Sequence, residues 1–491
     1  MNNAVNASTT RGPIIGREKE GVLLFAGIPY AAPPIGGLRF HAPLAHAPWS
    51  EPKDTRKFGP AAPQVATGGM TDAVSPRWSE DCLTLNIQTP ALDGSRPVLV
   101  WIHGGAYRTG QGATPWYNGT SFATNGDIVV VSINYRLGAL GFTDLSRFGS
   151  EFATSGVNGT LDQITALMWV RDNIAGFGGD PSKVTIAGES AGGFSVSTLL
   201  GCPAAQGLFR AAIPQSGGAQ HTLPEQAGEI VADAFLAAVG VDTAEGLQAI
   251  DVDEILRAQS QVIADLEGGV GSNNKLGVAV SAFYPVVGNR ILSQSPIDAI
   301  RQGVGASIPV LTGWNKDETT LWGYGKVDEA KLERFADNLG ATAALQVYRE
   351  QRPDASANDL LIALTTDHMF GIPAIRLAEA RAGAPASTWM YCFCWESRAM
   401  NGRLKATHAL EIPFAFDNLS RPGVDAFIGD GPLPQEVADV MHQTWIRFIR
   451  EGNPGWQPYS EPDRVVMCFD TESELRNDPR AAERQAWSGL R

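Results

Sequence analysis

The stretch KVTIAGESAGGFSVSTLL, at residues 183–200, constrains the fold more than any other part of this sequence. Its first five residues have the composition of a buried strand, and the run that follows Ser190 has that of a buried helix. A sharp turn must join the two, and the small neighbours Gly188 and Gly192 allow the backbone to approach closely there. This order of strand, strained turn and helix predicts an α/β fold in which Ser190 is exposed at the turn.

Four further runs of mostly apolar residues predict strands at 97–103, 127–135, 308–313 and 388–395. They are continuous rather than alternating in polarity, which is typical of strands that are covered on both faces. Apolar residues at helical spacing predict helices at 161–174 and 435–450. Strands that alternate with helices predict a central, mostly parallel, twisted sheet with flanking helices.

Two alanine-rich regions, near residues 219–300 and 320–385, have helical patterns. We expect them to form cap segments inserted between strands of the sheet. Residues 1–60 are rich in proline and glycine with short extended pieces, which predicts a small antiparallel start to the sheet. Because α/β folds often form one large unit, we expect residues 1–491 to form a single domain.

The chain carries 52 acidic and 38 basic side chains, a formal net charge of −14. This field repels a phosphate backbone and no Lys- or Arg-rich stripe offsets it, so we expect no nucleic-acid partner. Residues 1–25 lack a basic start followed by an apolar run and do not resemble a signal peptide. Apolar runs such as residues 128–131 and 389–395 are much shorter than a membrane span. We expect a soluble cytoplasmic protein without a membrane partner, either a monomer or a small homo-oligomer.

The five cysteines are odd in number and follow no metal-binding spacing; they are Cys82, Cys202, Cys392, Cys394 and Cys468. We expect five buried free thiols, with no metal and no cofactor. Cys392 and Cys394 fall on one predicted strand, and we expect their side chains on opposite faces of it.

Ser190 is the candidate nucleophile, because it lies in a G-x-S-x-G pattern between a predicted strand and a predicted helix. The N-terminus of that helix places a positive dipole where negative charge develops. The bare pattern also arises by chance in a glycine-rich chain, but the flanking strand and helix argue against chance here.

A second glycine-rich segment, HGGA at residues 103–106, directly follows a predicted strand. The backbone N–H groups of Gly105 and Ala106, together with that of Ala191, are candidates for an oxyanion hole, and Gly104 belongs to the same turn. Loss of one such donor typically costs about 10²–10³ in rate. The alternative is a plain glycine-rich turn, which explains the glycines but not their placement ahead of the serine turn.

The base is expected after the serine, with an acid between them, because folds with this turn order the triad as Ser, Asp or Glu, then His. Four histidines follow Ser190, at positions 221, 368, 408 and 442. His221 comes too soon for an acid strand to intervene, His442 lies in a predicted helix, and His368 suits a packed or capping residue. His408 falls in a loop after a predicted strand and is the candidate base.

Asp317 and Glu318 are both candidates for the acid, because they lie just past the predicted strand at 308–313. A carboxylate at that strand end can hold the imidazole in its productive tautomer and stabilise the imidazolium. Spacing alone does not choose between them, and surface charge on a loop is the alternative for both.

Five segments form a highly specific set: FAGIPYAAPPIGGLRF (25–40), SEDCLTLNI (79–87), VWIHGGAY (100–107), INYRLGALGF (133–142) and NGTLDQITALMWVRDNIAGFGGDPSKVTIAGESAGG (158–193). On these segments the chain resembles the type-B carboxylesterase family of the α/β-hydrolase superfamily, which contains the cholinesterases and bacterial p-nitrobenzyl esterases. The resemblance implies an α/β-hydrolase fold and a serine esterase that needs no cofactor.

The resemblance also assigns residues. The family's acid is the glutamate of a segment resembling NKDET, which selects Glu318 over Asp317. Its histidine lies in a segment resembling THALEIPF, in agreement with His408. The family places a second serine, here Ser216, near the triad as support, and we take Glu189 beside the nucleophile as a second supporting residue.

By the same resemblance, two charged pairs are candidate buried ion pairs with a structural role, Arg39 with Glu80 and Arg136 with Asp162. The chain departs from the family at two positions. Ala106 stands where many relatives have a third glycine, although its N–H group remains available. Secreted relatives link the cysteine of EDCL to an upstream partner, but no cysteine precedes Cys82 here, which agrees with a reducing compartment.

These features predict a serine carboxylesterase that hydrolyses small-molecule carboxylic esters through an acyl-enzyme intermediate. A carbamate or amide hydrolase, or a lipase, would use the same triad, and we recognise no apolar lid typical of a lipase. Relatives that have lost the serine act as adhesion or binding modules, whereas this chain keeps all three triad members. Seven aromatic residues are candidates either for an apolar gorge or for the core: Tyr107, Trp116, Phe283, Tyr284, Trp314, Trp322 and Phe414.

Overall fold

The computed structural model describes residues 4–66, 76–266 and 281–490. Thirteen strands lie in these residues: β1 Ala4–Ser8, β2 Pro13–Lys19, β3 Val22–Pro29, β4 Lys53–Asp54, β5 Thr84–Thr89, β6 Arg96–Ile102, β7 Val129–Ile133, β8 Gly179–Glu189, β9 Ala211–Gln215, β10 Val310–Asn315, β11 Thr388–Phe393, β12 Val465–Phe469 and β13 Glu474–Asn477. All of them belong to one sheet.

The helices of the described residues are α1 Thr120–Gly126, α2 Gly138–Phe142, α3 Asn158–Asn173, α4 Ala191–Leu200, α5 Glu225–Val239, α6 Ala244–Ala249, α7 Val252–Leu266, α8 Pro296–Arg301, α9 Glu329–Asn338, α10 Thr342–Gln351, α11 Ala357–Thr366, α12 Ile372–Ala380, α13 Ile412–Ala415, α14 Asp425–Ile428, α15 Gln435–Glu451 and α16 Ala481–Ala486. Short 3-10 turns occur between several of them, and the one at Glu318–Leu321 carries a candidate site residue.

The strands follow the order β1-β2-β3-β5-β7-β6-β8-β9-β10-β11-β12-β13, with β4 beside β2. Neighbouring strands from β7 to β12 run parallel, whereas β1, β2, β3 and β5 pair antiparallel and β13 closes the far edge antiparallel to β12. Two hydrophobic cores cover the two faces of the sheet. The predicted α/β fold, with a mostly parallel central sheet and an antiparallel start, is confirmed.

The five predicted central strands correspond to β6, β7, β8, β10 and β11, and their ends differ from the predicted ones by a few residues. The largest difference is at β8, which begins at Gly179 because the loop ahead of the apolar run also pairs with β6, at Arg96. Their residues are mostly buried, as continuous apolar runs require, except for the first two residues of β6 and residues 180–183 of β8.

Two groups of helices lie between strands of the sheet, α5–α8 between β9 and β10, and α9–α12 between β10 and β11. They fall in the regions where cap segments were expected, and the division of the chain into domains stays a prediction. The continuous helical stretch Ala357–Ala380 is long and apolar enough to cross a membrane, but 83% of its apolar window is buried inside the fold. That burial is the pattern of a helix that packs in a protein core.

Both expected ion pairs form; Arg136 with Asp162 is buried, and Arg39 with Glu80 is mostly buried. Nε of Arg39 lies 2.6 Å from Oε1 of Glu80. The guanidinium of Arg136 donates to both oxygens of Asp162, each at 2.8 Å, and the backbone N–H of Arg136 donates to the same carboxylate. Such two-pronged, fully partnered pairs avoid the cost of a lone buried charge and fix the loop after β7 against α3.

All five cysteines are free thiols, as expected, and four of them are buried. The expectation for Cys392 and Cys394 was wrong, because their sulfur atoms lie 3.7 Å apart on the same side of the chain. Residues two apart on a strand point to the same face, and only immediate neighbours point to opposite faces. Cys394 is also partly exposed rather than buried.

Candidate active site

The turn at Ser190 joins β8 directly to α4 and holds the serine in a strained conformation. Its backbone has φ 57° and ψ −125°, a region that residues other than glycine rarely occupy. The N–H of Ser190 donates to the carbonyl of Gln215 at the end of β9, 3.1 Å away. A Cβ at Gly192 would overlap the carbonyl oxygen of Ile102, so glycine is required where α4 passes β6. The strain therefore presents the serine side chain at the carboxyl edge of the sheet.

The loop after β6 passes close to the serine turn. A Cβ at Gly104 would lie 2.6 Å from the carbonyl oxygen of Glu189, which excludes any larger residue at this position. The next three residues all have positive φ: 111° at Gly105, 54° at Ala106 and 58° at Tyr107. Because of these positive φ angles, the backbone N–H groups of the loop do not continue the hydrogen-bonding pattern of β6.

Three backbone donors in this region have no acceptor among the residues that the structure describes. Across the described residues, no hydrogen bond is made by the N–H groups of Gly105, Ala106 and Ala191. Gly105 and Ala106 line the same cavity as Ser190, and Ala191 is the first residue of α4. Unpaired N–H groups beside a nucleophile are suited to stabilise an oxyanion, and the N-terminal dipole of α4 adds to that effect.

His408 and Glu318 are in direct contact and both are buried. Nδ1 of His408 lies 2.6 Å from Oε2 of Glu318. Oε1 of the same carboxylate accepts the backbone N–H of Asn315, and the backbone N–H of His408 donates to the carbonyl of Glu318. Because a carboxylate only accepts hydrogen bonds, Nδ1 carries the proton and Nε2 is the nitrogen left to act as a base.

Asp317 does not contact the imidazole. Its backbone N–H donates to the carbonyl of Ala406, and its carboxylate Oδ2 is buried without a hydrogen-bond partner in the described part of the chain. Burial raises the pKa of Asp317 above its usual value. The geometry therefore pairs the imidazole with Glu318, the residue that the resemblance selected.

The other three histidines that follow Ser190 lie outside the cavity lining. His221 contacts the backbone carbonyls of Gly218 and Met369, and its ring stacks on Phe194. The His368 ring packs against Trp487, and Nδ1 of His442 bonds the carbonyl of Ala415. Each of the three is held by packing or backbone contacts, which suits a structural role.

Glu189 adds a second carboxylate to the site. Its Oε1 lies 3.1 Å from Nε2 of His408, an ion-pair distance, although the geometry does not meet that of a hydrogen bond. Burial alone would lower the pKa of His408, but the charges of Glu189 and Glu318 outweigh it and raise that pKa to about 9. Burial in turn raises the pKa of Glu189 well above its usual value. The imidazole of His408 thus lies between two carboxylates, Glu318 at Nδ1 and Glu189 at Nε2.

Three polar residues that the sequence reasoning missed tie the site together. The side chain of Gln215 donates to Oε1 of Glu411, and the side chain of Asn315 donates to Oε2 of Glu411 and to the carbonyl of Thr407. Burial raises the pKa of Glu411 to about 7. The loop that contains Thr407, His408 and Glu411, here called the histidine loop, is thus attached to the ends of β9 and β10. In the sequence, the position of Gln215 directly before Ser216 was the one signal that pointed to it.

Ser216, expected as support, is fully buried at the end of β9 with φ 47°. Its N–H donates to the carbonyl of Gly313, which fixes the chain just after Gln215. Within the described residues its hydroxyl has no hydrogen-bond partner. The structure therefore places Ser216 beside the residue that holds the serine turn, without a hydrogen bond to His408 or Glu318.

A cavity of about 420 Å³ brings the candidate residues together. Ser190, His408, Gly104, Gly105 and Ala106 all line it. Of the seven aromatic candidates only Trp116 and Trp322 line the cavity, together with Tyr117, which was not singled out. The other five are buried core residues, namely Tyr107, Phe283, Tyr284, Trp314 and Phe414. Proximity to a motif along the chain does not tell which face of an element a ring occupies.

Comparison with known proteins decides the family. A sequence profile described as the Carboxylesterase family matches residues 2–487. The chain belongs to this family. It is 35% identical to para-nitrobenzyl esterase of Bacillus subtilis strain 168, with 97% of each chain covered. It is also 35% identical to phenmedipham hydrolase of Pseudarthrobacter oxydans, with 96% of each chain covered.

The solved structures agree with this assignment. A carboxylesterase of Geobacillus stearothermophilus, determined at pH 6.2, superposes with a TM-score of 0.86 at 37% identity, covering 98% of this chain and 99% of that one. A structure described as a thermophilic PNB esterase gives a TM-score of 0.87 at 33% identity. The chain is thus a carboxylic ester hydrolase with the α/β-hydrolase fold.

Proposed function

We propose that this carboxylic ester hydrolase is a serine esterase with Ser190 as nucleophile, His408 as general base and acid, and Glu318 as the residue that orients His408. The observation that carries this proposal is the arrangement around one cavity. Ser190, the His408 imidazole held by Glu318, and the unpaired N–H groups of Gly105 and Ala106 all surround the same space.

The proposed reaction has two halves. Nε2 of His408 takes the proton of the Ser190 hydroxyl while Oγ attacks the ester carbonyl carbon, and the N–H groups of Gly105, Ala106 and Ala191 stabilise the resulting oxyanion. When that intermediate collapses, the protonated His408 gives its proton to the departing alcohol and leaves an acyl-enzyme. Water, deprotonated by His408, then attacks the acyl carbon and releases the acid.

The first experiment measures hydrolysis of p-nitrophenyl acetate, butyrate and octanoate by the purified protein. We expect turnover with a burst of p-nitrophenol equal to the enzyme concentration wherever deacylation is the slower half. The cavity has a volume of about 420 Å³, with Leu321 and Trp322 among its lining residues, so we expect activity to favour the shorter esters. Preference for octanoate in an emulsion would instead indicate a lipase.

A second substrate class is suggested by one relative. Because a protein that is 35% identical over 96% of this chain is named a phenmedipham hydrolase, phenmedipham is the compound to test beside the p-nitrophenyl esters. The same triad serves carbamate or amide hydrolysis, since only the leaving group and the acyl portion change. A higher kcat/KM for phenmedipham than for every ester would move the proposal to a carbamate hydrolase.

The acid assignment is tested by a matched pair of neutral replacements. We expect Glu318→Gln to lower kcat about 10⁴-fold, because an amide cannot hold His408 in the productive tautomer or stabilise the imidazolium. Asp317→Asn, one residue away, should change kcat less than about tenfold, because its carboxylate does not touch the imidazole. The assay is steady-state hydrolysis of p-nitrophenyl acetate. The reverse order of the two effects would contradict the assignment.

The pH dependence tests the charges around His408. The imidazolium cannot accept the Ser190 proton, so kcat/KM should rise with pH through the pKa of His408, which the neighbouring carboxylates raise to about 9. Glu189→Gln removes the negative charge nearest Nε2, lowers that pKa and should move the rising limb to lower pH. Glu436→Gln, at an exposed carboxylate on α15, is the control and should leave the limb in place. If the rising limb of the kcat/KM profile stays in place in Glu189→Gln, then Glu189 carries no charge in that pH range and does not raise the pKa of His408.

We also propose a cytoplasmic location, with no membrane or nucleic-acid partner and a monomer or small homo-oligomer as the working assembly. The free state of all five cysteines supports a reducing compartment, and the net charge of −14 disfavours a phosphate backbone. Fractionation of the producing cells tests the location, and light scattering of the purified protein tests the assembly.

A further inference from the structure

One hydrogen-bond donor of the cavity, the indole N–H of Trp116, is open to a bound molecule. Trp116 lines the cavity with only 7% of its surface exposed, and an indole N–H in such a setting usually finds an acceptor. Among the residues that the structure describes, no acceptor meets Nε1 of Trp116, and this atom is not sealed in the core as Nε1 of Trp101 and Trp314 are. The acceptor is therefore expected on a molecule in the cavity.

The space beside this N–H group is left open by Gly423, which also lines the cavity. A Cβ added at Gly423 would lie 3.5 Å from Nε1 of Trp116 and, apart from its chain neighbours, would meet no other atom within 4 Å. Gly423 has φ 85°, a conformation that favours glycine, so this space is not readily filled by a side chain. An acceptor atom of a substrate can therefore reach Nε1 from the cavity.

The indole is held in place before any ligand binds. Trp116 lies in the 3-10 turn Pro115–Tyr117, and its carbonyl accepts the side-chain amide of Asn418 at 2.9 Å. Its ring packs edge-on against that of Phe427, with the ring centroids 4.8 Å apart. A donor that is already fixed loses little freedom when it bonds a ligand, so more of the bond is available for affinity and selectivity.

The part of the cavity lining next to His408 has a different character. The Trp322 ring lies 5.1 Å from the His408 ring. Further apolar side chains in the lining are those of Leu321, Ala409 and Ile412. Ligand sites typically combine apolar walls with a few polar groups that fix the orientation of the ligand. The cavity thus suits an ester that is apolar along part of its length and carries one acceptor for Trp116.

Building on the proposed esterase function, we propose that the N–H of Trp116 selects esters that carry a second, uncharged hydrogen-bond acceptor, such as a ketone or a further ester carbonyl. The indole N–H is a neutral donor and the Glu189 carboxylate lines the same cavity, so a neutral acceptor is favoured over an anion. A site built to bond an acceptor discriminates against the analogue that lacks it, because the donor is then left unpaired. Arg108 also lines the cavity, which makes a carboxylate the alternative to exclude.

Two series of esters measure this selectivity. Ethyl heptanoate and its 4-, 5- and 6-oxo derivatives place the added carbonyl in the acid part, whereas heptyl acetate and its 4-, 5- and 6-oxo derivatives place it in the alcohol part. In pH-stat assays, the ratio of kcat/KM for an oxo ester to that for its parent should fall about three- to tenfold in Trp116→Phe for at least one position, as expected for one neutral hydrogen bond. Because both esters are measured on one sample, incomplete folding of the variant does not change the ratio.

Trp395→Phe is the matched control, because Trp395 is also buried, with 8% of its surface exposed, but does not line the cavity. Its ratios should equal those of the wild type. Ligand-observed NMR titrations of Ser190→Ala, with and without Trp116→Phe, should show the same shift in the ratio of dissociation constants. This binding measurement reports on Trp116 even if the proposed triad is wrong.

Ratios that stay unchanged in Trp116→Phe for every oxo ester, or that change equally in Trp395→Phe, overturn the proposal. If Trp116→Phe does not fold, Trp116→Leu, which also lacks the N–H group, replaces it. A preference for monoethyl heptanedioate over every oxo ester, lost in Arg108→Gln, would also overturn the proposal and would indicate an anionic ester instead.

Discussion

Ser190→Ala should lower kcat for p-nitrophenyl acetate by about 10⁶-fold while the protein stays folded. The hydroxyl is the atom that forms the acyl-enzyme, and no other described side chain in the cavity offers both a hydroxyl and a place at a strained strand-to-helix turn. Alanine keeps the Cβ, so the backbone at φ 57° is under the same strain as before. Thermal unfolding and the burst of p-nitrophenol, measured on the same sample, separate lost chemistry from lost structure.

Ser197→Ala is the matched control for this experiment. Ser197 lies on α4 as well, and its buried hydroxyl has no hydrogen-bond partner among the described residues. Removal of that hydroxyl should leave kcat within a factor of about two, because it touches neither the cavity nor the histidine loop. Residual activity in Ser190→Ala close to that of the control would place the nucleophile elsewhere.

His408→Ala should have an effect of similar size, a fall in kcat of about 10⁶-fold. Without Nε2 nothing takes the Ser190 proton during attack or returns it to the alcohol, while the N–H groups beside the cavity still bind the oxyanion. Because nucleophile and base act as a unit, the double variant with Ser190→Ala should be no slower than either single variant. Single-turnover assays with p-nitrophenyl acetate measure all three proteins.

The control for His408 is His46→Ala, at a partly exposed histidine whose ring contacts its neighbour's carbonyl. That change should leave kcat and its pH dependence as they are in the wild type. An additive double variant, slower than the singles by the product of their effects, would contradict the view that Ser190 and His408 perform one proton transfer.

Much of the fold could be predicted because its signals are local. The run at residues 183–200 contains its own strand, turn and helix, and the order of serine, acid and histidine along the chain follows from that turn. The central strands are buried on both faces, so their apolar runs are uninterrupted and easily found. Their ends were less certain, because pairing with a neighbour, as at Gly179, extends a strand beyond its apolar run.

The contacts that hold the site together could not be predicted in this way, because they depend on register between strands that are far apart in sequence. Glu411 is met by Gln215 from β9 and by Asn315 from β10. The aromatic residues that line the cavity could not be predicted for a related reason. Five of the seven candidates pack into the core, and only the backbone structure shows which rings face the cavity.

The hydrogen bond from Nε1 of Trp445 to Oε1 of Gln215 affects when the site can form during synthesis of the chain. Gln215 holds the serine turn through its carbonyl and the histidine loop through its amide, and its remaining acceptor is satisfied by α15. A chain emerging from the ribosome has made every proposed catalytic side chain by residue 408, yet it lacks this partner until α15 is synthesised and packed. The finished geometry of the site therefore belongs to the nearly complete chain and arrives late in its synthesis.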